Sequence, residues 1–307
     1  MKTESKIIVF LSAICAAIWI LAFSSGALNN SVSVKNISSF KSRGLLEIHF
    51  LDVGQGNSTV IITPKGKILV YDGGKSGSAY SPFDAGEKVV VPFLKKRGVE
   101  EIDVIVCSSP DDDHVGGLSK LYNNFKVKQT YDTCHAHPTE SYREFLEAVE
   151  SSKSKFSVIR EGLLIKIDEN ILIQALWPPE PLFIASSLSN NNSAVLKITY
   201  GNTTFLLTGD IEKPAETKLL KYATGLKSDV YLAPHHGSRT SSTPSFFKTC
   251  SPEIIVISCG YKDKFKHPHP EVLERFEKSG AKIYRTDYNG TVSLYSNGEK
   301  IEILTEK

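Results

Sequence analysis

Acidic and imidazole side chains follow directly after apolar, strand-like runs in this sequence. The clearest case is CSSPDDDHVGGL, residues 107–118, in which Asp111, Asp113 and His114 come after the run EIDVIVC. Mixed carboxylate and imidazole groups are typical ligands of zinc, manganese and iron, and an excess of carboxylates favours manganese. Taken alone, however, three successive acids are more typical of a solvated turn.

Three further loops of the same kind change that interpretation. VYDGG carries Asp72, LLTGD carries Asp210 and APHHGS carries His235, and each follows an apolar run. If these runs are strands of layered sheets, one sheet edge can hold all of the loops. A divalent ion bound there would lower the pKa of its water and polarise a phosphoryl or carbonyl oxygen. Asp210, placed between two sites, could bridge a pair of ions.

The elements around these loops predict an α/β fold. LLEIHFLDV alternates as a half-buried strand, and the stretch DAGEKVVVPFLKKRG predicts a helix capped by Asp84 and ended by Gly98. Gly201-Asn202 is a two-residue hairpin signal between two strands. Strand-rich segments with interspersed helices in both halves of the chain indicate sheet packed on sheet with helices outside.

The N-terminal residues have a different character. Lys2 and Lys6 precede an uncharged apolar run at residues 7–23, and small residues follow it. This pattern predicts a signal peptide or a membrane anchor over residues 1–27, since a bilayer span needs roughly 17–25 residues. Residues 28–44, rich in Ser and Asn, are interpreted as a linker, and residues 45–307 as one domain. We therefore expect this domain to be secreted or anchored to the cell membrane, outside the cytoplasm.

The overall charge excludes a strong global attraction to polyanions. The chain has 36 basic and 34 acidic side chains and a formal net charge of +2. Such a balance produces no long-range field toward nucleic acid or an anionic membrane. A polyanionic substrate would have to be held by a local site.

Taken together, these motifs resemble the metallo-β-lactamase superfamily. FLDVGQGN, SPDDDHVGGL, LLTGDI, APHHGSRTSS and HPHPEVLERFEKSG are similar to the extracytoplasmic hydrolase domain of ComEC competence proteins, and the similarity runs from about residue 45 to the end of the chain. The resemblance implies a four-layer αββα sandwich with a metal site at one sheet edge. It also implies a metal-dependent hydrolase acting on DNA or nucleotides.

The resemblance implies a role for each matching position, and two positions depart from the family pattern. Ser109 stands where a ligand of the first metal is expected, and the SNNNSAV segment offers no histidine for that ion. Asn57 replaces a carboxylate of the usual GQGD. We expect one firmly held zinc or manganese ion and at most a weak second one. The implied metal ligands are Asp111, Asp113, His114, Asp210 and His235, with Asp72, Asn57 and Ser109 around them.

Other residues near these motifs are candidates for catalysis or substrate binding. His236, His267 and His269 are predicted to act in catalysis together with Asp113, or to contact a phosphate. The alternative for the HPHP loop is a packed, non-catalytic role. Ser238 and Arg239 could bind a phosphate or only cap the next segment. The segment that contains Cys134, His135 and His137 has metal-like spacing outside the family motif, and its residues are interpreted as lying at the rim of the site.

Three hypotheses follow from the sequence. The first is a metal-dependent phosphodiesterase or nuclease acting on DNA or nucleotides, with activity weakened by Ser109 and Asn57. The second is a catalytically weak module that binds DNA or a partner at the cell surface. The third keeps the hydrolase but changes the substrate to a small phosphate ester or a lactone. If the N-terminal segment is not cleaved, the membrane is a further partner.

Overall fold

The computed structural model describes residues 44–77 and 82–307. The predictions for residues 1–43, a signal peptide or anchor followed by a linker, lie outside the described residues. Within the described part of the chain, no helix has the length and apolar character needed to cross a membrane.

The first sheet is built mainly from the N-terminal half of the domain. Its strands are β1 (Leu46–Phe50), β2 (Thr59–Ile62), β3 (Ile68–Tyr71), β4 (Glu101–Cys107), β5 (Lys126–Asp132), β6 (Lys155–Val158), β14 (Val292–Ser296) and β15 (Ile301–Thr305). Their order across the sheet is β15-β14-β1-β2-β3-β4-β5-β6. Strands β3 to β6 run parallel to one another, so their carboxyl ends share one edge.

The second sheet is built from the middle and C-terminal parts of the chain. Its strands are β7 (Leu164–Ile165), β8 (Ile171–Trp177), β9 (Val195–Tyr200), β10 (Thr203–Leu207), β11 (Val230–Leu232), β12 (Ile254–Ile257) and β13 (Lys282–Arg285). The order is β13-β12-β11-β10-β9-β8-β7. The predicted Gly201-Asn202 hairpin joins β9 to β10, with Tyr200 paired to Thr203. Strands β10 to β13 are parallel.

The two sheets pack face to face around a common apolar core. Phe50 and Leu69 from the first sheet and Phe205 and Val256 from the second belong to one buried cluster. Burial of such side chains, at roughly 25 cal/mol per Å² of apolar surface, is the dominant stabilising contribution. The aligned sheets bring the carboxyl ends of β3, β4, β10 and β11 to one edge of the sandwich.

Helices cover both outer faces and complete four layers. In chain order they are α1 (Val91–Lys96), α2 (Asp112–Val115), α3 (Leu118–Asn124), α4 (Glu140–Ser152), α5 (Lys213–Leu219), α6 (Ala223–Leu226), α7 (Pro244–Cys250), α8 (Pro270–Ser279) and α9 (Thr286–Asn289). Residues of α1, α3 and α4 pack on the first sheet. Residues of α5, α7 and α8 pack on the second. The predicted α/β fold with an αββα sandwich is confirmed.

Candidate metal centre

The loops singled out in the sequence meet at this sheet edge. Asp72 follows β3, the Asp113–His114 pair follows β4, Asp210 follows β10 and His236 follows β11. Asp72 and His236 have left-handed backbone conformations, with φ of 63° and 55°. Such conformations are strained for residues other than glycine and cluster at functional sites. Here they turn the chain sharply at the strand ends, so that polar side chains point back into the edge.

Three of these residues form a compact group with metal-ligand geometry. One ligand atom each from Asp113, His114 and His236 lies within 4.8 Å of the others. Asp210 joins them, because its Oδ1 lies 3.1 Å from His114 Nε2 and its Oδ2 lies 3.7 Å from His236 Nε2. His236 Nε2 is also 3.3 Å from Asp113 Oδ2. We refer to Asp113, His114, Asp210 and His236 as the four-residue centre.

The two imidazoles of the centre are oriented by hydrogen bonds from their other nitrogen. His114 Nδ1 lies 2.8 Å from Asp72 Oδ2, and His236 Nδ1 lies 2.8 Å from the Ser258 carbonyl oxygen. Because a carbonyl or carboxylate only accepts, both Nδ1 atoms carry a proton, and both Nε2 atoms face the centre. Buried carboxylate or carbonyl partners of this kind are typical of metal-binding histidines.

Those Nε2 atoms also lack any other partner. His114 Nε2 and His236 Nε2 are both buried without a hydrogen bond of acceptable geometry. A buried imidazole nitrogen that faces carboxylates is unfavourable unless a proton or a metal cation lies between them. The donor set of two imidazoles and two carboxylates therefore fits a divalent ion such as zinc or manganese.

Electrostatics at the centre favour the same interpretation. Burial lowers the pKa of His236, but the carboxylates of Asp210 and Asp113 outweigh it and raise the pKa above its ordinary value. Burial likewise raises the pKa of Asp210, yet the surrounding histidines, led by His114, hold the pKa well below its ordinary range. The pKa of Asp113 is lowered as well, so both carboxylates are ionised and available to a cation.

Asp72 and Asn57 lie behind His114. The Asp72 carboxylate accepts hydrogen bonds from the Ser108 backbone N–H at 2.7 Å, from Ser108 Oγ at 2.6 Å and from Asn57 Nδ2 at 3.0 Å. A carboxylate in place of Asn57 would face the Asp72 carboxylate with no proton to donate. Asn57 is thus compatible with an intact His114 orientation. Ser108, which the sequence interpretation missed, could be found by its position directly after β4.

The structure separates the two adjacent histidines of the HHGS motif. The sequence interpretation assigned the ligand role to His235 and a catalytic role to His236, and the geometry favours the reverse. His235 Nε2 lies 4.0 Å from Asp210 Oδ2, and its Nδ1 lies 3.4 Å from Glu212 Oε1. Both residues have positive φ, and their imidazoles lie in different surroundings. His236 enters the centre, while His235 stays partly exposed beside Glu212.

The expected first metal site has a different composition. The Asp111 carboxylate, predicted as a ligand, receives a hydrogen bond from Ser189 Oγ at 2.8 Å and lies 3.3 Å from His137 Nε2. Ser109 Oγ is 3.3 Å from the same carboxylate. Asp111 is therefore engaged by side chains from two other loops rather than grouped with Asp113 and His114. His137 contacts the rim of the site through this carboxylate.

In the asparagine-rich segment, the amides of Asn191 and Asn192 are hydrogen-bonded to neighbouring loops rather than directed at that first site. Asn191 Oδ1 accepts from the backbone N–H groups of Glu212 and Ala215, and its Nδ2 donates to Ser186 O and Glu212 Oε2. Asn192 bonds Phe183 in both directions, through its Oδ1 and its Nδ2. We call Ser109, Asp111 and the 190–192 segment the depleted side of the site.

The HPHP residues lie beside the centre. The His267 ring is near His235 and His236, with centroid distances of 5.5 and 6.2 Å. Burial and these two neighbouring rings lower the pKa of His267 to about 4. His269 Nδ1 accepts a hydrogen bond from the Arg239 backbone N–H at 3.2 Å, so this ring helps to hold the loop before α8.

Ser238 and Arg239 occupy different environments. Ser238 is buried, and its Oγ lies 3.0 Å from Thr240 Oγ1. The Arg239 guanidinium is mostly exposed, with Nε 3.5 Å from Glu271 Oε1. Arg239 can reach a ligand at the rim, whereas Ser238 is occupied within its own loop. The assignment of both to substrate binding stays a prediction.

The fold and this centre agree with the similarity to known proteins. Residues 51–260 match the metallo-beta-lactamase superfamily, and the chain belongs to that superfamily. Membership supports assignment as a metal-dependent hydrolase. The chain is 29% identical over 261 residues to "ComE operon protein 3" of Bacillus subtilis (strain 168), covering 82% of this chain and 33% of that protein. It is 30% identical over 248 residues to "Competence protein ComA" of Neisseria gonorrhoeae, covering 79% of this chain and 31% of that protein.

The resemblance to competence proteins is thereby confirmed, and the chain spans about a third of the length of these relatives. Solved structures share the fold at low identity. CmlA, a diiron beta-hydroxylase from Streptomyces venezuelae, is 10% identical with a TM-score of 0.53, covering 82% of this chain and 54% of that chain. The metallo-beta-lactamase fold protein YhfI from Bacillus subtilis is 10% identical with a TM-score of 0.50, covering 83% and 100%.

Proposed function

We propose that this chain is a metal-dependent phosphodiesterase that cleaves DNA or nucleotides with one divalent ion, zinc or manganese. The observation that carries the proposal is the four-residue centre, in which two oriented Nε2 atoms without a hydrogen bond of acceptable geometry face two ionised carboxylates. The substrate class rests on similarity to competence proteins. We also propose that the domain acts outside the cytoplasm, secreted or held by its N-terminal segment.

Each residue of the site would have a distinct role. Asp113, His114, Asp210 and His236 would hold the ion, and Asp72 would keep His114 in the required tautomer. A divalent ion bound there would activate water and polarise a phosphoryl oxygen. His267 would contact the phosphodiester from the side of His236.

Arg239 would approach a phosphate from the exposed rim. Its guanidinium can bind two phosphate oxygens at once, and among the described residues it has a long ion pair with Glu271. Ser238, buried against Thr240, would fix the backbone of this loop rather than touch the substrate.

A second candidate is a nucleic-acid-binding module with weakened catalysis. The observation that favours it is the depleted side, where Ser109 stands in place of an expected ligand and the SNNNSAV segment offers no histidine for a first ion. The two candidates make opposite predictions about turnover at the same centre.

Turnover measurements separate the candidates. The full chain would be assayed with bis-p-nitrophenyl phosphate, single-stranded DNA and duplex DNA in the presence of Mn²⁺ or Zn²⁺. We expect Asp210→Asn to lower turnover by about 100-fold or more, because loss of an ion ligand should exceed the roughly 10- to 100-fold cost of losing an outer partner. Asp111→Asn is the matched control in the same edge and should retain most activity. Wild-type turnover equal to that of Asp210→Asn would contradict the enzyme and favour the binding module.

A further inference from the structure

The loop that follows β12 combines exposed aromatic rings with lysines. Residues 261–267 read YKDKFKH, and Tyr261 and Phe265 are 65% and 51% exposed. Lys262, Lys264 and Lys266 are exposed as well. Large exposed rings are unfavourable in water and indicate a surface that meets a ligand or a partner. We call residues 261–267 the aromatic–lysine loop.

Two rings of this loop, Phe265 and His267, form a row that leads into the metal centre. Phe265 stacks on His267, with ring centroids 5.7 Å apart and planes 22° apart. His267 stacks in turn on His236, at 6.2 Å and 29°. The row therefore connects an exposed ring to a proposed metal ligand through a single intervening imidazole.

The backbone of the loop is held firmly. The Asp263 carboxylate accepts hydrogen bonds from the backbone N–H groups of Phe265 at 2.5 Å and His267 at 2.8 Å. At the base, the Gly260 N–H donates to Gln55 Oε1 at 3.1 Å, and a side chain at Gly260 would come within 2.7 Å of the Gln55 backbone nitrogen. The rings are thus presented on a fixed turn whose acidic group is already engaged.

Positive charge accompanies the rings. Lys262 Nζ lies 5.1 Å from the centroid of Tyr261, and Lys264 Nζ lies 4.8 Å from that of Phe265. Each ammonium group is on a long, exposed stem and can move to a phosphate beside a stacked base. Aromatic rings interleaved with cations are the pattern by which proteins bind single-stranded nucleic acid.

We propose that the aromatic–lysine loop binds single-stranded nucleic acid by stacking bases on Tyr261 and Phe265 and pairing its lysines with phosphates. A single strand is favoured over a duplex because the base faces of a duplex are already stacked. An anionic membrane could also attract aromatic and basic groups, but the ring row ends in a buried centre that a lipid surface does not reach. The inference deepens the proposed function and rests on it for the identity of the substrate.

The test measures binding separately from turnover. Fluorescein-labelled dT15 and a duplex of equal length would be titrated with the full chain in EDTA, so that no ion-dependent cleavage occurs. We expect wild type to prefer the single strand. Tyr261→Leu with Phe265→Leu should weaken dT15 binding by at least about fivefold, since stacking on each ring contributes a factor of roughly 5 to 150. Phe156→Leu, an exposed ring on β6, is the matched control and should bind as wild type does.

Contrary results are well defined. Unchanged dT15 binding by the double variant, or equal affinity for the duplex, would overturn the proposal. So would a double variant that loses binding only to phosphatidylglycerol vesicles and not to dT15. Tyr261→Leu alone, a change at an exposed ring, keeps the test valid if the double variant unfolds. A chain that binds dT15 through this loop but shows no turnover would refute the hydrolase and leave the loop assignment standing.

Discussion

The four-residue centre and the depleted side lie at the same sheet edge but differ in what their side chains contact. In the centre, buried groups orient His114 and His236 through their Nδ1 atoms. The Nε2 atoms of both rings have no hydrogen bond of acceptable geometry. On the depleted side, Asp111 contacts Ser189 and His137. The side-chain amides of Asn191 and Asn192 form hydrogen bonds with backbone groups. A fold can therefore retain one ion site while the neighbouring positions become ordinary loop structure.

The difference also shows how the depleted side is stabilised by its own hydrogen bonds. Polar groups are costly if they are buried without partners. Here the Asn191 amide makes three hydrogen bonds to Glu212 and Ala215, which join the 186–192 loop to the start of α5, and two more within its own loop. The polar side chains of the depleted side therefore have hydrogen-bond partners within the protein, and for this reason we expect a single ion.

The largest expected effect comes from replacing the two histidines of HHGS with alanine, one at a time. His236→Ala should reduce the affinity for Mn²⁺ or Zn²⁺ by about 100-fold or more, since a removed ligand should exceed the cost of a removed outer partner. His235→Ala should reduce it by about threefold or less, because His235 lies beside Glu212. Isothermal titration of each full-length variant would measure this. A larger loss in His235→Ala than in His236→Ala would break the assignment of the centre.

A smaller effect is expected from Asp72, which contacts His114 rather than the proposed ion. Asp72→Ala should lower ion affinity by roughly 10- to 100-fold, because His114 would lose the group that orients its Nδ1–H. Ser109→Ala, on the depleted side, should leave the affinity within about twofold, since Ser109 only contacts Asp111 at a long distance. Competition with a fluorescent chelator measures both variants. Equal losses would mean that Ser109 serves the ion as directly as Asp72.

The smallest effect is expected from restoring one missing side chain. Ser109→His supplies an imidazole at the depleted side, but Asp111 would remain bonded to Ser189 and Asn191 would remain bonded to the backbone. We therefore expect no second ion per chain at micromolar metal, as measured by native mass spectrometry. A second ion in this variant would show that one added ligand at position 109 is sufficient for the first site to bind metal.

Much of the fold and part of the centre could be predicted from the sequence. Apolar runs ended by DGG, DDDH and GD placed Asp72, His114 and Asp210 at strand ends, because parallel strands bring their carboxyl ends to one edge. The choice between His235 and His236 could not be made, since the positive φ values of 51° and 55° that separate them leave no trace in the residue types. The partner of Asp111 was also hidden, because His137 comes from a separate loop whose approach depends on tertiary packing.

The ion count of the full chain tests the central claim most directly. Wild-type protein, Asp210→Asn and Asp111→Asn would be equilibrated with micromolar Mn²⁺ or Zn²⁺, and the bound metal measured by elemental analysis. We predict one ion per chain in the wild type, loss of that ion in Asp210→Asn and its retention in Asp111→Asn. Two ions in the wild type, or loss of the ion in Asp111→Asn, would contradict a single ion held by Asp113, His114, Asp210 and His236.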